Sequence, residues 1–151
     1  MNNSKTDFII SEAEPAHHSA IAECQRENFS IPLSESDLTS FHNDPLFRVR
    51  VIKTDGVVAG HTVFSLIGDT VELISVAIKE DFRRKGLGEA LINDLLTIAK
   101  EENCTSVLLE VRESNSKAIA LYTKLGFIKI AHRKDFYQKP REDGITMQAT
   151  W

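Results

Sequence analysis

The hydrophobic pattern of the chain changes period near residue 86, and this change restricts the possible folds more than any other feature. Before it come three β-rich runs, at residues 47–53, 57–66 and 70–78. The pairs Asp55-Gly56 and Gly68-Asp69 separate these runs, as is typical of tight turns between antiparallel strands. From Leu87 to Lys100 the apolar residues instead recur at the spacing of one helix face. The chain is therefore predicted to be an α/β domain in which consecutive strands lead into an amphipathic helix.

Shorter segments on either side predict the remaining elements. Further strands are predicted at residues 8–10, 106–111, 127–131 and 145–149, and further helices at 15–29, 34–44 and 118–125. This order predicts an α/β (α+β) fold with a mixed, mostly antiparallel central sheet of roughly six to seven strands, about four helices and one βαβ crossover around the helix at 87–101. Because no repeat or flexible linker interrupts the chain, residues 1–151 are expected to form a single domain.

Composition and charge disfavour several classes of protein. The chain is 42% hydrophobic and 26% charged, which is ordinary globular usage, and no segment approaches the roughly 20 apolar residues that cross a bilayer. Since no export signal is found either, we expect a cytoplasmic protein that binds no membrane. The net charge of -4 disfavours direct nucleic-acid binding. Neither Cys24 and Cys104 nor the histidines form a metal-binding motif, so no metal is expected.

The residues just before the amphipathic helix have the composition of a phosphate-binding loop. We call residues 83–89 the phosphate loop; it contains the cations Arg83, Arg84 and Lys85 and two glycines, Gly86 and Gly88, that allow close backbone approach. The N–H groups of the first helical turn, at the positive end of the helix dipole, would face a bound anion. The spacing fits neither a P-loop nor a GxGxxG dinucleotide fingerprint. On these residues alone, a solvated basic loop is an equal alternative.

Three further motifs follow the loop in a fixed order. They are Leu109-Glu110-Val111-Arg112-x-Ser114-Asn115, Ala118-Ile119-Ala120-Leu121-Tyr122-x-x-Leu125-Gly126-Phe127 and Arg141-Glu142-Asp143. With them the chain resembles the GNAT acetyltransferases over residues 70–148, and within that family the RimI branch, which acetylates the N-terminal alanine of a small-subunit ribosomal protein. The resemblance implies the GNAT fold, acetyl-CoA as cosubstrate and a protein N-terminus as the acceptor.

The resemblance also implies roles for individual residues. The implied cofactor contacts are Val76, Ala77 and Ile78 along the pantetheine arm, Arg84, Lys85, Gly86, Leu87, Gly88 and Glu89 around the pyrophosphate, and Asn115. Glu110 matches the general base and Tyr122 the general acid. The family's usual Phe-Pro-Trp near the acceptor is replaced by residues 29–33, which lack the tryptophan, and a common asparagine before the cofactor strand is Ser75. These departures concern the choice of acceptor more than the binding of the cofactor.

The chemistry of aminolysis is consistent with these roles. Attack on a thioester requires a neutral amine and a proton for the departing thiolate. An α-amino group has a pKa of about 7.7 to 8.0, so it needs much less help from a base at pH 7 than a lysine does. Glu110 is expected to accept the amine proton directly or through a water. The phenol of Tyr122, with an ordinary pKa near 10, would protonate a thiolate at a cost of about 2 kcal/mol.

Each of these assignments has a simpler alternative. Glu110 shares a strand face with Arg112 and can form an ordinary ion pair with it, Tyr122 can be a core residue with its hydroxyl at the surface, and Asn115 can cap the following helix. At the level of function, one alternative is an acetyltransferase acting on a small-molecule amine or a protein lysine. Another is a catalytically silent module that senses acetyl-CoA.

Overall fold

The protein is described by a computed structural model that covers residues 7–151. Its strands are β1 (Ile9–Glu12), β2 (Phe47–Thr54), β3 (Val57–Ile67), β4 (Thr70–Ile78), β5 (Ser106–Arg112), β6 (Ile128–Gln138) and β7 (Arg141–Thr150). Its α-helices are α1 (His18–Asn28), α2 (Glu35–His42), α3 (Leu87–Glu101) and α4 (Ser116–Lys124). Short 3₁₀ turns lie at Pro15–His17 and Glu80–Phe82. No helix within residues 7–151 is long and apolar enough to span a bilayer.

The described strands form one mixed sheet in the order β1-β2-β3-β4-β5-β7-β6. β4 and β5 are parallel, with Thr70 opposite Ser106, and α3 makes the crossover between them. β5 pairs antiparallel with β7, and β1 with β2. The predicted α/β fold with a mixed sheet and a βαβ crossover is therefore confirmed. By their contacts the described residues divide into a first unit, 7–63 with 75–94, and a second unit, 64–74 with 95–151.

The first unit contains two clusters of buried apolar side chains. In one, Ile21 of α1 and Leu38 of α2 pack with Val51 of β2. In the other, Leu87 and Leu91 of α3 pack with Ile52 of β2 and Ala59 of β3. Because Leu87 and Leu91 are fully buried at the start of α3, this second cluster fixes the end of the helix that adjoins the phosphate loop.

Short-range sequence patterns predicted most helices and strands of the first unit correctly. The side chains and backbones of Ser34 and Asp37 exchange hydrogen bonds of 3.1 and 2.8 Å, which is the capping box predicted at the start of α2. Asp55 and Gly56 both have positive φ, 53° and 77°, as a tight hairpin turn requires. The helix predicted at 15–29 begins as a 3₁₀ turn, and Phe29 is its C-cap.

In the second unit the last two strands are longer than predicted. β6 was predicted to end at residue 131 but extends to Gln138, and β7 begins at Arg141 rather than at residue 145. β6 is an edge strand of the sheet, and its side chains are almost all exposed. Its sequence therefore has no alternation of buried and exposed residues. Register shifts between Lys129 and Ala131, and between Arg133 and Tyr137, disturb the pattern further.

Candidate active site

The phosphate loop follows the second 3₁₀ turn and extends into the first turn of α3. Arg84 and Gly86 have positive φ values of 65° and 75°, and the Gly86 carbonyl accepts a 3.1 Å hydrogen bond from the Ala90 amide. Left-handed residues in such a loop turn neighbouring N–H groups toward the same side, which suits an anion. The first N–H groups of α3 add donors that have no partner inside the helix.

The two glycines of the loop have different reasons to be glycine. At Gly86 the positive φ disfavours any other residue, although a Cβ there would have nothing within 4 Å. At Gly88 the backbone conformation is ordinary, and a Cβ would make a van der Waals contact of 3.9 Å with Ile78 Cγ1. The protein itself would therefore accept an alanine at 88. A ligand that approaches the backbone closely is a reason for glycine at this position.

Two cations of the loop also contact other parts of the protein. Arg83 donates from Nη2 to Asn28 Oδ1 at 2.9 Å and from Nε to the Ile78 carbonyl at 3.4 Å. Lys85 Nζ lies 5.7 Å from the centroid of the Phe82 ring. The sequence placed Arg83 beside Arg84 and Lys85 as a cation near a possible phosphate, and the structure adds that Arg83 contacts the end of α1.

The carboxyl end of β4 carries the residues expected along the pantetheine arm. Val76 and Ile78 pack against the core cluster that includes Leu87, and Ala77 is 6% exposed. A Cβ on Gly60 of β3 would lie 2.5 Å from the Ala77 carbonyl oxygen and 2.5 Å from Ile78 Cδ1, so only glycine fits there. Sequence reasoning did not single out Gly60; the available signal was an isolated glycine inside a strand.

Glu110 lies in the second unit, on β5, with both carboxylate oxygens in contact with other side chains. Thr146 Oγ1 donates to Oε2 at 2.6 Å, and Arg133 Nη1 lies 3.3 Å from Oε1. The Glu110 side chain is 22% exposed, so it can still reach a water or an amine. Sequence reasoning missed both partners because they lie on β7 and β6, and pairing across the sheet brings them to Glu110.

The alternative that Glu110 simply pairs with Arg112 is wrong. Arg112 donates to the Pro140 and Lys139 carbonyls at 2.8 and 3.0 Å and forms a 3.2 Å ion pair with Glu142. Its guanidinium also lies 4.4 Å from the centroid of the Tyr137 ring. Hydrogen bonds from Ser114, and then the nearby Arg112, hold the pKa of Glu142 below its usual range. Arg112 is therefore occupied at the β6–β7 turn.

Tyr122 lies on α4 with 6% of its surface exposed, and the centroid of its ring is 5.6 Å from that of Phe127. It is therefore a core residue, as the simpler alternative predicted. Burial, followed by the nearby Tyr137, raises the pKa of Tyr122 to about 12. Protonating a thiolate of pKa about 8.5 would then cost about 5 kcal/mol rather than about 2. The shift keeps the phenol protonated at any physiological pH.

Asn115 is the N-cap of α4. Its Oδ1 accepts a 3.2 Å hydrogen bond from the Ala118 amide, which confirms the capping role anticipated from the sequence. A cofactor contact by the same side chain stays a prediction.

One group of side chains has donor atoms close enough to hold a cation. Ligand atoms of Glu113, His132 and Asp143 lie within 4.8 Å of one another. His132 Nε2 is 2.7 Å from Asp143 Oδ2 and 4.0 Å from Glu113 Oε1, and the other Asp143 oxygen accepts from the Asp135 amide. That amide first, and His132 next, lower the pKa of Asp143. These contacts describe a hydrogen-bonded cluster near the surface, which the sequence spacing did not reveal.

Comparison with known proteins decides the family. The model of the acetyltransferase (GNAT) family matches residues 15–127, which include β4, the phosphate loop, Glu110 and Tyr122. The chain belongs to the GNAT acetyltransferases. The resemblance inferred from the sequence motifs is thus confirmed.

Individual relatives extend this likeness over nearly the whole chain. The ribosomal protein bS18-alanine N-acetyltransferase of Escherichia coli is 30% identical over 140 residues, which cover 91% of this chain and 94% of that protein. A putative ribosomal protein bS18-alanine N-acetyltransferase of Bacillus subtilis is 31% identical over 134 residues, or 86% and 87% of the two chains. The crystal structure of the Escherichia coli ribosomal-protein-S18-alanine N-acetyltransferase superposes with a TM-score of 0.88 at 29% identity, covering 95% of this chain and 94% of that one.

Membership of the family establishes the class of reaction. The chain is an N-acetyltransferase, and acetyl-CoA is its acetyl donor. The phosphate loop and the end of β4 stay the predicted contacts for its diphosphate and its pantetheine arm.

Proposed function

We propose that this acetyltransferase acetylates the N-terminal α-amine of a protein in the cytoplasm, and specifically the N-terminal alanine of a small-subunit ribosomal protein of the bS18 type. The observation that carries the proposal is the likeness to the Escherichia coli bS18-alanine N-acetyltransferase, which extends over 91% of this chain rather than over the cofactor motif alone.

The proposed reaction uses one acetyl-CoA and one neutral amine. Main-chain N–H groups of Arg84 through Glu89 bind the diphosphate, and the backbone of Val76, Ala77 and Ile78 aligns the pantetheine arm. The amine nitrogen attacks the thioester carbonyl, and its proton passes to Glu110, directly or through a water. The C–N bond forms, the C–S bond breaks, and the thiolate takes a proton from Tyr122. Asn115 adds a cofactor contact beside its capping role.

The contacts of Glu110 support its assignment as the base. Thr146 and Arg133 fix the two carboxylate oxygens, so the side chain is held in one orientation. Each carboxylate oxygen can accept a further hydrogen bond, so these contacts leave room for a water or an amine. An α-amine is the easier acceptor because its pKa is about two units below that of lysine.

The proposal is tested by release of free CoA thiol with two peptides of equal length. One begins with an unblocked alanine and contains no lysine; the other has a blocked N-terminus and a single lysine. We expect the alanine peptide to be acetylated with a kcat/KM at least about 100-fold higher. Preference for the lysine peptide would support the alternative acceptor, and no thiol release with any amine would support a silent acetyl-CoA sensor.

A further inference from the structure

The side-chain amide of Asn28, at the last residue of α1, connects the helix to the phosphate loop. Asn28 Nδ2 donates to the Cys24 carbonyl within the helix at 2.8 Å and to the Ile78 carbonyl at the end of β4 at 3.2 Å. Its Oδ1 accepts the 2.9 Å hydrogen bond from Arg83, the first residue of the loop. One amide thus joins α1, the strand end and the phosphate loop.

Three residues before it, Gln25 holds the segment that follows α1. Gln25 is 1% exposed, and its Oε1 accepts a 3.0 Å hydrogen bond from the Leu33 amide. Its Nε2 lies 2.8 Å from Ser75 Oγ and 2.7 Å from His61 Nε2, which fixes the Gln25 amide against β4 and β3. The chain between Phe29 and Leu33 is therefore attached to α1 at both ends.

The segment at residues 29–33, which we call the acceptor segment, exposes apolar side chains. Phe29 is 38% exposed and Ile31 is 67% exposed. It occupies the chain position where the family's acceptor motif was expected. The sequence departs from the family pattern at two places, the acceptor segment and Ser75. Both places contact the Gln25 amide, the first through Leu33.

We propose that Asn28 is a positioning residue that couples the two substrates, transmitting occupancy of the phosphate loop to the acceptor segment. A diphosphate bound to the loop amides would hold the backbone at Arg83 and Arg84 in one conformation. Arg83 then holds Asn28, and the ordered end of α1 fixes where the acceptor segment begins. When the donor is already bound, the acceptor segment is already ordered. Binding of the acceptor peptide then costs less conformational entropy of that segment. This inference rests on the proposed function, because it concerns the acceptor of that reaction.

The test measures the affinity of an alanine-starting peptide by calorimetry, with and without saturating CoA. In the wild type we expect the peptide to bind about fivefold or more tightly when CoA is present. In Asn28→Ala we expect this ratio to fall below about twofold. Arg83→Gln should lose the same coupling, and the double variant should lose no more, because both residues act through one hydrogen bond.

Two further variants separate positioning from folding. Asn28→Asp retains the oxygen that accepts from Arg83 but loses the N–H donors to the Cys24 and Ile78 carbonyls, so it should restore only part of the wild-type ratio. Arg26→Ala removes an exposed cation from the same helix and should keep the full ratio. If Asn28→Ala does not fold, Arg83→Gln alone decides, since Arg83 is exposed.

The possible failures are distinguishable. A wild type that binds CoA and acetylates the alanine peptide but shows a ratio near one overturns this inference and leaves the proposed function intact. Wild-type coupling retained in Asn28→Ala or in Arg83→Gln also overturns it. A wild type that binds CoA but acetylates only lysine contradicts the proposed acceptor instead.

Discussion

Thr146 donates a 2.6 Å hydrogen bond to Oε2 of Glu110, and the two residues are direct partners in the pairing of β5 with β7. The bond holds one carboxylate oxygen in place, while Arg133 contacts the other. The side chain that we propose as the base is thereby held by one group from β7 and one from β6.

Replacing Glu110 with glutamine should slow catalysis without weakening cofactor binding. The amide keeps the shape of the side chain but accepts protons poorly, so kcat/KM for an alanine peptide should fall by about 10²- to 10⁴-fold. CoA affinity, measured by calorimetry, should change by less than about twofold. Thr146→Val is the matched variant: it replaces the hydroxyl with a methyl group of similar size and should lower kcat/KM by about tenfold. Equal activity of Glu110→Gln and wild type would exclude Glu110 as the base.

Replacing Tyr122 with phenylalanine should lower kcat by about 10- to 100-fold if the phenol protonates the thiolate. Because the pKa of Tyr122 is raised to about 12, the phenol remains protonated throughout pH 6 to 9. The ratio of wild-type to variant kcat should therefore be constant over that range. A ratio that falls toward one near pH 8 would mean that the group titrates there, against this account.

The buried His61 should make stability depend on pH. Burial lowers the pKa of His61 to about 4 in the folded chain, whereas an unfolded histidine has a pKa near 6.5. Above pH 6.5 both states are neutral and stability is complete. As pH falls from 6.5 to 4, the unfolded chain takes up a proton that the folded chain does not, and about 3 kcal/mol is lost.

Urea unfolding at pH 7 and pH 4.5 checks this expectation, with His61→Gln as the comparison. Between pH 7 and pH 4.5 the variant should lose less unfolding free energy than the wild type. Burial also lowers the pKa of His18, so the part of the loss that is due to His18 should remain in the variant. An identical pH dependence in the two proteins would contradict the assignment to His61.

Two glycine substitutions should separate folding from cofactor binding. Gly88→Ala meets only an ordinary contact and adds a better helix former, so the free energy of unfolding should rise by up to about 1 kcal/mol while CoA affinity falls. Gly60→Ala meets the Ala77 carbonyl oxygen at 2.5 Å and should lose about 1 to 3 kcal/mol of stability. Undiminished CoA affinity in Gly88→Ala would show that the ligand does not approach this glycine.

Most elements could be predicted from local signals. The Asp55-Gly56 turn, the capping box at Ser34 and the helical spacing after Leu87 each depend on residues near in sequence. β6 could not be placed correctly, because an exposed edge strand lacks the alternation that reveals other strands.

Motifs predicted the candidate site residues, but they did not predict the partners of those residues. Arg83 was grouped with the other cations of the phosphate loop, and its contact with Asn28, which is 55 positions away in the chain, was not foreseen. Glu110 was given Arg112 as its alternative partner, yet its contacts are Thr146 and Arg133. Such pairs depend on strand order and register, which sequence spacing does not specify.

We propose that main-chain amides of the phosphate loop bind the diphosphate of acetyl-CoA. The most direct measurement is a calorimetric titration of the wild-type protein with CoA and, separately, with pantetheine, which has the same thiol arm but no phosphate. We expect CoA to bind at roughly micromolar Kd and pantetheine to bind at least about 100-fold more weakly, a difference of about 2.7 kcal/mol. Equal affinity for the two compounds, or no binding of CoA, would show that the phosphate loop does not bind the diphosphate.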